Sequence, residues 1–135
     1  DQYPLSFTEK QVGITLFHVR QVVIHDLVVQ GFQLDGINAF NSADRVSLLR
    51  VTARGNGRSG VAVGGASRVA VEQSLLGDNF YAQLLTLPFS ESHVDGGELL
   101  SNTAPAWVDE GGRAFFNGKP RSGGLNEFRP AAPSK

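Results

Sequence analysis

GINAFNSADRV, residues 36–46, has a near-copy on either side of it in the chain. GITLFHVRQV precedes it at residues 13–22, and GVAVGGASRV follows it at residues 60–69. Each copy reads glycine, branched apolar residue, any residue, apolar residue, a short loop and then Val. The three leading glycines are 23 and 24 residues apart. A fixed period of this length indicates a repeat architecture in which each copy is one structural unit.

Within each repeat, apolar residues alternate with other residues at a period of two, which is typical of short strands with one buried face. The pairs are Val22 and Ile24, Leu27 and Val29, and Ile37 and Ala39; then Val46 and Leu48, Val51 and Ala53, and Val61 and Val63; then Val69 and Val71, Ser74 and Leu76, and Leu84 and Thr86. Helical spacing fits none of these windows. Gly, Asn, Asp and Ser cluster between them and mark turns.

Three short strands in every 23 to 24 residues predict one rung of a parallel β-helix, an all-β solenoid. Val22, Val46 and Val69 should then form one stacked column, with rungs about 4.8 Å apart. Asn56 and Asn79 should stack at a corner, where the Asn side chain can bridge rungs. The glycine before each third strand is expected to occupy a corner that needs positive φ. A leucine-rich solenoid or an antiparallel sandwich explains the Val- and Gly-dominated period less well.

The repeat divides the chain into three parts. Residues 1–12 form a lead-in, residues 13–112 about four rungs of 23–24 residues, and residues 113–135 a closing strand and an extended tail. The last rung is degenerate, with Val94 expected to begin it and Trp107 to lie near its third strand and to pack under the cap. Because end rungs expose strand edges, we expect missing upstream rungs or self-association through the end rungs.

Composition narrows the classes of function. A chain of 135 residues fits one domain, and its net charge of −1 gives no reason to expect nucleic acid. No apolar run is long enough for a membrane span, so no membrane partner is expected. The chain has no cysteine, which excludes disulfides and thiol chemistry. Without an initiating Met or a signal sequence, it is expected to be processed or truncated.

The pattern GIxV…SxxVxI…NxxxxxxxG over residues 13–87 resembles the right-handed parallel β-helix repeat family. That superfamily includes polygalacturonases, pectate lyases, alginate epimerases and phage tailspikes. The resemblance implies a right-handed solenoid, a secreted or cell-surface location, and polysaccharide bound in a groove along one face. It is specific for the fold and weak for the function, because this fold carries many activities.

The polygalacturonase pattern matches at one acid only. QLDGI places Asp35 where the first carboxylate falls, but Arg58 and Ser59 replace the paired acids one rung later, and Tyr81 follows in the same column. The Gly-His-Gly and Arg-Ile-Lys motifs are absent. Since inverting hydrolysis needs two carboxyl groups, that mechanism is not expected within this chain.

A lyase-like site is the second interpretation. Asp35 and Arg58 should lie on adjacent rungs, with Asp78 and Tyr81 near the same corner of the next, and Phe80 exposed beside them. These five residues are the candidate substrate-binding residues, and Asp35, Arg58 and Tyr81 are the weak catalytic candidates. The plainer interpretation, which we favour, is a surface Asp–Arg ion pair covered by Tyr, worth about 0 to 1 kcal/mol.

Metal binding is not expected. Lyases of this superfamily hold Ca²⁺ between acidic residues, but no cluster of three acids suited to Ca²⁺ is apparent, so no cofactor is expected. His25 and Asp26 lie at a bend in line with Arg50 and Glu72, which predicts a solvated polar corner. In SESHVDGGE, residues 90–98, His93 and Asp95 share one face if the segment is extended, which leaves a site for a hard cation such as Ca²⁺ as the alternative to ordinary local acidity in a turn.

These observations leave three functions open. The favoured one is a non-catalytic scaffold portion of an extracellular β-helix protein associated with polysaccharide binding or processing. The first alternative is a polysaccharide lyase or glycoside hydrolase acting in a groove on the β-helix face. The second is a self-associating structural solenoid.

Overall fold

The computed structural model describes residues 11–121 and is built of strands, with no helix in that range. No segment in it is therefore a helix that could span a membrane. The strands are β1 (Val12–Phe17), β2 (Arg20–Gln30), β3 (Asp35–Phe40), β4 (Asp44–Arg54), β5 (Ser59–Val63), β6 (Arg68–Glu72), β7 (Leu75–Gly77), β8 (Ala82–Thr86), β9 (Glu91–Asp95), β10 (Glu98–Leu99), β11 (Trp107–Asp109), β12 (Arg113–Phe116) and β13 (Lys119–Arg121).

The strands stack into two sheets, as a parallel β-helix requires. One sheet has five parallel strands in the order β1-β3-β5-β8-β11. The other has eight strands in the order β10-β7-β4-β6-β9-β12-β13, with β2 paired to β4. The predicted all-β β-helix is confirmed, and it makes about five turns.

The predicted columns are confirmed in the eight-stranded sheet. Val22 pairs with Val46 and Val46 with Val69, so like side chains lie directly over one another. The prediction that Val94 begins the next rung was wrong, because Ser92 pairs with Val69 and Val94 lies two residues further along the strand. The Ser92 side chain can be buried at this position because its hydroxyl forms a hydrogen bond of 2.8 Å with the hydroxyl of Thr86.

The long strands of the eight-stranded sheet bend at one corner column. Asp26, Arg50 and Gln73 all have positive φ, of 56°, 54° and 50°, and Gly96 follows with 65°. The bend divides β2 and β4 into two legs that belong to different sides of the solenoid. This corner is where the predicted polar bend at residues 25 and 26 lies.

The glycines that begin each third strand have a role different from the predicted one. Gly13, Gly36 and Gly60 do not have positive φ. A Cβ added at Gly60 would lie 2.9 Å from Nδ2 of Asn79 and 3.0 Å from the carbonyl oxygen of Gln83. Glycine is therefore needed for space, because the asparagine column packs against the backbone at this point.

That asparagine column is confirmed as a corner ladder. Asn56 and Asn79 are 0% exposed, and Oδ1 of Asn79 accepts hydrogen bonds of 2.9 Å from both N and Nδ2 of Asn56. Below, Oδ1 of Asn56 accepts from the Phe32 backbone N–H at 3.0 Å. Above, Nδ2 of Asn79 donates to Oε1 of Gln83 at 2.7 Å. Each side chain thus satisfies the buried polar groups of the neighbouring turn.

The last turn is closed on the eight-stranded sheet by a hairpin. β12 pairs in parallel with β9 and in antiparallel fashion with β13, through a turn at Asn117 and Gly118 with φ of 53° and 83°. Trp107 is 2% exposed and packs edge-on against Phe116, with ring centroids 5.6 Å apart. Trp107 is therefore part of the core under the cap, as predicted. The parts of the lead-in and tail at residues 1–10 and 122–135 lie outside the described residues.

Candidate functional site

The predicted pairing of Asp35 and Arg58 is present where β3 and β5 begin. Because the two strands are in parallel register, Asp35 stands opposite Ser59, and Arg58 immediately precedes that residue. The guanidinium of Arg58 donates from Nε to Oδ1 of Asp35 at 3.0 Å and from Nη2 to Oδ2 at 2.7 Å. This two-point contact fixes the plane of the guanidinium.

The Asp35 carboxylate is buried and fully hydrogen-bonded. It is 0% exposed, and it also accepts from the Ser59 hydroxyl at 2.6 Å and from Nδ2 of Asn38 at 2.9 Å. The ion pair is therefore not the weak surface pair that the sequence suggested. A carboxylate with four donors around it and no access to solvent is placed to hold Arg58 rather than to contact a ligand.

Arg58 is the part of the pair that reaches the surface. Its side chain is 32% exposed, and Nη1 takes no part in the contact with Asp35. The hydrogen bond to Asp35 raises the pKa of Arg58, and the negative charges of Asp35 and Glu110 add to that effect against the opposing burial. Arg58 is therefore a permanent cation at the rim of the five-stranded sheet, and its Nη1 has no hydrogen-bond partner among residues 11–121.

Tyr81 lies beside Arg58 and introduces a residue that the sequence analysis missed. Its backbone N–H donates to the Arg58 carbonyl at 2.8 Å, which sets it one turn further along the solenoid. Its hydroxyl donates to Oε2 of Glu110, and this bond, with burial, raises the pKa of Tyr81. Glu110 follows β11, one turn beyond Thr86, whose carbonyl accepts its backbone N–H. Glu110 is 29 residues from Tyr81, an interval longer than one turn, so the rung count gave no signal for this contact.

The remaining candidates, Asp78 and Phe80, lie in the preceding corner. Asp78 has a φ of 60° and accepts from Nδ2 of Asn102 at 2.6 Å, so its contact is with the next turn. Phe80 is 57% exposed and Tyr81 38% exposed, as expected for aromatic side chains available to a ligand. Arg58, Phe80, Tyr81 and Glu110 together form the rim cluster.

Next to the rim cluster, the described strands of the five-stranded sheet carry a buried apolar cluster rather than polar side chains. Ala62, Ala82, Leu85 and Val108 form a second apolar cluster, separate from the core, and each is no more than 1% exposed. Ligand-binding chemistry on this side of the molecule is consequently concentrated at the rim.

The polar bend of β2 has the predicted character. Arg50 donates to Asp26 through Nε at 2.6 Å and Nη2 at 2.8 Å, and His25 Nδ1 lies 2.8 Å from the same carboxylate. The bond from Arg50 and then that with His25 hold the pKa of Asp26 far below its ordinary value. The side chains of His25, Asp26 and Arg50 are about half exposed, so this is a solvated corner.

Within the 90–98 segment, residues 91–95 form β9, and the chain turns at Gly96 and Gly97 with φ of 65° and 74°. The carboxylate of Glu91 in this strand is already paired. Glu91 lies 3.1 Å from His93, 2.7 Å from Arg113 and 3.4 Å from Arg68. The hydrogen bond with His93, assisted by the two arginines against burial, lowers the pKa of Glu91. Phe115 stacks on His93 with ring centroids 4.5 Å apart and planes at 3°. Nowhere in residues 11–121 do three His, Asp or Glu side chains gather as a metal ion requires.

One cavity of about 260 Å³ lies under the cap hairpin. Val94, Leu99, Trp107 and Phe116 line it together with small residues and Asn117, and none of the lining residues is titratable. The cavity is a packing gap at the end of the core, so the rim cluster remains the candidate site.

The stacked parallel turns define the class of this chain, which is a parallel β-helix of the β-solenoid type. Comparison with known protein families, curated proteins and solved structures finds no match to the chain.

Proposed function

We propose that this chain is a non-catalytic portion of an extracellular β-helix protein, similar to the pectate-lyase-like superfamily, and that it binds polysaccharide at the rim cluster. The observation that carries the proposal is the guanidinium of Arg58, locked by the buried Asp35 and partly open to solvent. A fixed cation with free donors suits the carboxylate or hydroxyl groups of a sugar chain.

The neighbours of Arg58 supply the other contacts that sugars use. Tyr81 offers a hydroxyl and a ring, Glu110 an exposed carboxylate, and Phe80 an exposed ring next in the chain. An aromatic side chain buries a large apolar surface while its polar neighbours fix the orientation of a ligand. The combination favours an acidic polysaccharide over a neutral one, because Arg58 gains more from a carboxylate than from a hydroxyl.

The same contacts argue for binding without catalysis. Proton abstraction needs a base that is neutral or anionic near the working pH. Arg58 and Tyr81 both have raised pKa values, which keeps them protonated, and the Asp35 oxygens are occupied by four hydrogen bonds. Glu110, bonded to Tyr81, is the one observation that favours the enzymatic alternative, a lyase or hydrolase acting at the rim.

Binding is tested by affinity electrophoresis and calorimetry on polygalacturonate, alginate and neutral glucans. Wild type should bind an acidic polymer, and Tyr81→Phe should weaken binding about tenfold, the equivalent of one hydrogen bond to a charged group. Arg58→Lys keeps the positive charge but loses the planar guanidinium and its two-point contact with Asp35, so it should weaken binding as well. Arg54→Gln is the matched control, because Arg54 is exposed and bonds Gln30 at 2.9 Å.

The enzymatic alternative is assayed on the same panel through reducing ends and the absorbance of unsaturated uronates. Turnover that disappears in Glu110→Gln would replace the scaffold proposal with the enzymatic one. Absence of binding to every polymer by folded wild-type protein would refute the polysaccharide proposal.

A further inference from the structure

Within residues 11–121, the strand edge of β2 that faces away from β4 has no partner strand. In the described part of the chain, β2 pairs with β4 only. Its inward-facing Val22, Ile24 and Leu27 are only partly buried. Their partners one turn later, Val46, Leu48 and Val51, are at most 1% exposed. The edge of β2 therefore lacks the cover that the next turn receives from it.

The outer face of this edge strand is also apolar. Val23 is 58% exposed and Val28 is 59% exposed, whereas the corresponding positions of the next turn are Ser47 and Thr52. Natural edge strands are protected by Lys, Pro, bulges or shortness. β2 is 11 residues long and contains neither Lys nor Pro. An edge of this kind is suited to pairing with another strand.

The sequence of β2 indicates which strand that is. Residues 21–30 read QVVIHDLVVQ, which is a palindrome in chemical character. If two copies of β2 run antiparallel with Gln21 opposite Gln30, then Val22 meets Val29, Val23 meets Val28, Ile24 meets Leu27 and His25 meets Asp26. Directly opposed residues of an antiparallel pair lie on the same face. Inward residues then meet inward residues, and the exposed valines meet each other outside.

The bend of β2 is compatible with this register. Asp26, with its φ of 56°, lies at the centre of the palindrome, next to His25. A two-fold axis through that corner lays the first leg of one copy on the second leg of the other and keeps both cores on the same side. His25 and Asp26 then form two opposite-charge pairs across the axis when His25 is protonated.

The two ends of the solenoid differ in a way that favours a closed pair. At the far end, β13 is an antiparallel edge strand on the leg formed by β6, β9 and β12, while the two-residue β10 ends the other leg. A head-to-tail stack of copies would have to displace β13, whereas a head-to-head pair uses the open β2 edge twice. A two-fold contact of this sort is self-complementary and closed. We propose that this chain forms a two-fold dimer through antiparallel pairing of β2 with β2 of a second copy.

Introducing like or opposite charges at positions 23 and 28 tests whether these two positions face each other in the dimer. Light scattering coupled to gel filtration should give the dimer mass, twice 14.5 kDa, for the parent chain. Val23→Lys with Val28→Lys places Lys opposite Lys twice and should yield monomer. Val23→Lys with Val28→Glu places Lys opposite Glu twice and should remain a dimer. Both pairs change exposed positions, so the fold should be retained, as circular dichroism can verify. Phe89→Lys, at a position 88% exposed away from β2, is the control and should stay dimeric.

Cysteine cross-linking tests the geometry independently, because the chain has no cysteine of its own. An equimolar mixture of Val23→Cys and Val28→Cys chains should form a mixed disulfide, since opposed Cα atoms lie about 4.5–5.5 Å apart. Either variant alone should not, because identical residues lie far apart in this register. The proposal would be overturned if the parent chain were monomeric, if it formed higher oligomers, or if two Val23→Cys chains formed a disulfide with each other. These outcomes are independent of polysaccharide binding.

Discussion

The buried asparagine ladder gives the sharpest test of the stacked architecture. Replacing Asn79 by Ala removes the acceptor that serves both N and Nδ2 of Asn56 at 2.9 Å. It also removes the donors to the Ala53 carbonyl at 3.2 Å and to Gln83 Oε1 at 2.7 Å. All of these bonds are buried, so water does not replace the lost partners without entering the corner.

The expected loss follows from the groups left without a partner. A buried donor or acceptor that loses its hydrogen bond costs about 1–3 kcal/mol. Two donors of Asn56 are orphaned outright, while Gln83 Oε1 still accepts from the Asn79 backbone N–H at 3.1 Å. We expect Asn79→Ala to lower the free energy of unfolding by about 3–5 kcal/mol, a large share of the 5–15 kcal/mol typical of a domain.

Urea unfolding followed by circular dichroism measures this loss as a shift of the midpoint at constant slope. Asn102→Ala is the matched control, because Asn102 is exposed and bonds Asp78 at 2.6 Å on the surface. That variant should change stability by less than about 0.5 kcal/mol. A loss below about 1 kcal/mol in Asn79→Ala, equal to the control, would refute the inference that the ladder holds adjacent turns together.

Three further outcomes are expected in the same assay. Because its neighbours lower the pKa of Glu91 from an ordinary 4.5, the carboxylate stabilises the fold above that pH, and the benefit is lost as the pH falls through the lowered value. Glu91→Gln should therefore reduce stability at pH 7, and its difference from wild type should shrink towards pH 3. Gly60→Ala should cost about 1–3 kcal/mol, since its Cβ would meet neighbours at 2.9–3.1 Å. Gly118→Ala has nothing within 4 Å but a φ of 83°, so it should cost about 1–2 kcal/mol through backbone strain alone. Leu48→Ala, at 0% exposure, should cost about 2–5 kcal/mol, while Val23→Ala should cost far less.

Periodicity allowed most of the fold to be predicted, because stacked turns repeat side chains at fixed intervals. Val22, Val46 and Val69 are recognisable as a column from spacing alone, and so are Asn56 and Asn79. The prediction failed where a turn used a different residue type for the same position. Ser92, whose hydroxyl is hydrogen-bonded to Thr86, occupies the column position where Val was expected. The sequence prediction therefore assigned that position to Val94, the next Val in the chain.

The candidate site was only partly predictable, for a related reason. Asp35 and Arg58 are 23 residues apart, so their contact follows from the period. Burial of the carboxylate does not follow, because it depends on Asn38 and Ser59 turning their polar groups towards it. Glu110 was missed because it is 29 residues from Tyr81, an interval longer than one turn. Their side chains meet across the rim, and a column count does not describe such contacts.

The near-mirror symmetry of β2 is shared by β4, where residues 45–54 read RVSLLRVTAR, but the two strands differ in the character of their outward positions. Within the described eight-stranded sheet the stacked turns run parallel, so a strand is matched to a neighbour read in the same direction. Inward positions on both legs, such as Ile24 and Leu27, are apolar in any turn because both legs face the core. Their symmetry about the bend therefore needs no further explanation. The outward positions are the polar Ser47 and Thr52 in β4 but Val23 and Val28 in β2, and solvent faces both valines. Two exposed valines placed symmetrically about the bend complement an antiparallel copy of the same strand, and they therefore indicate an interface rather than a role in the core.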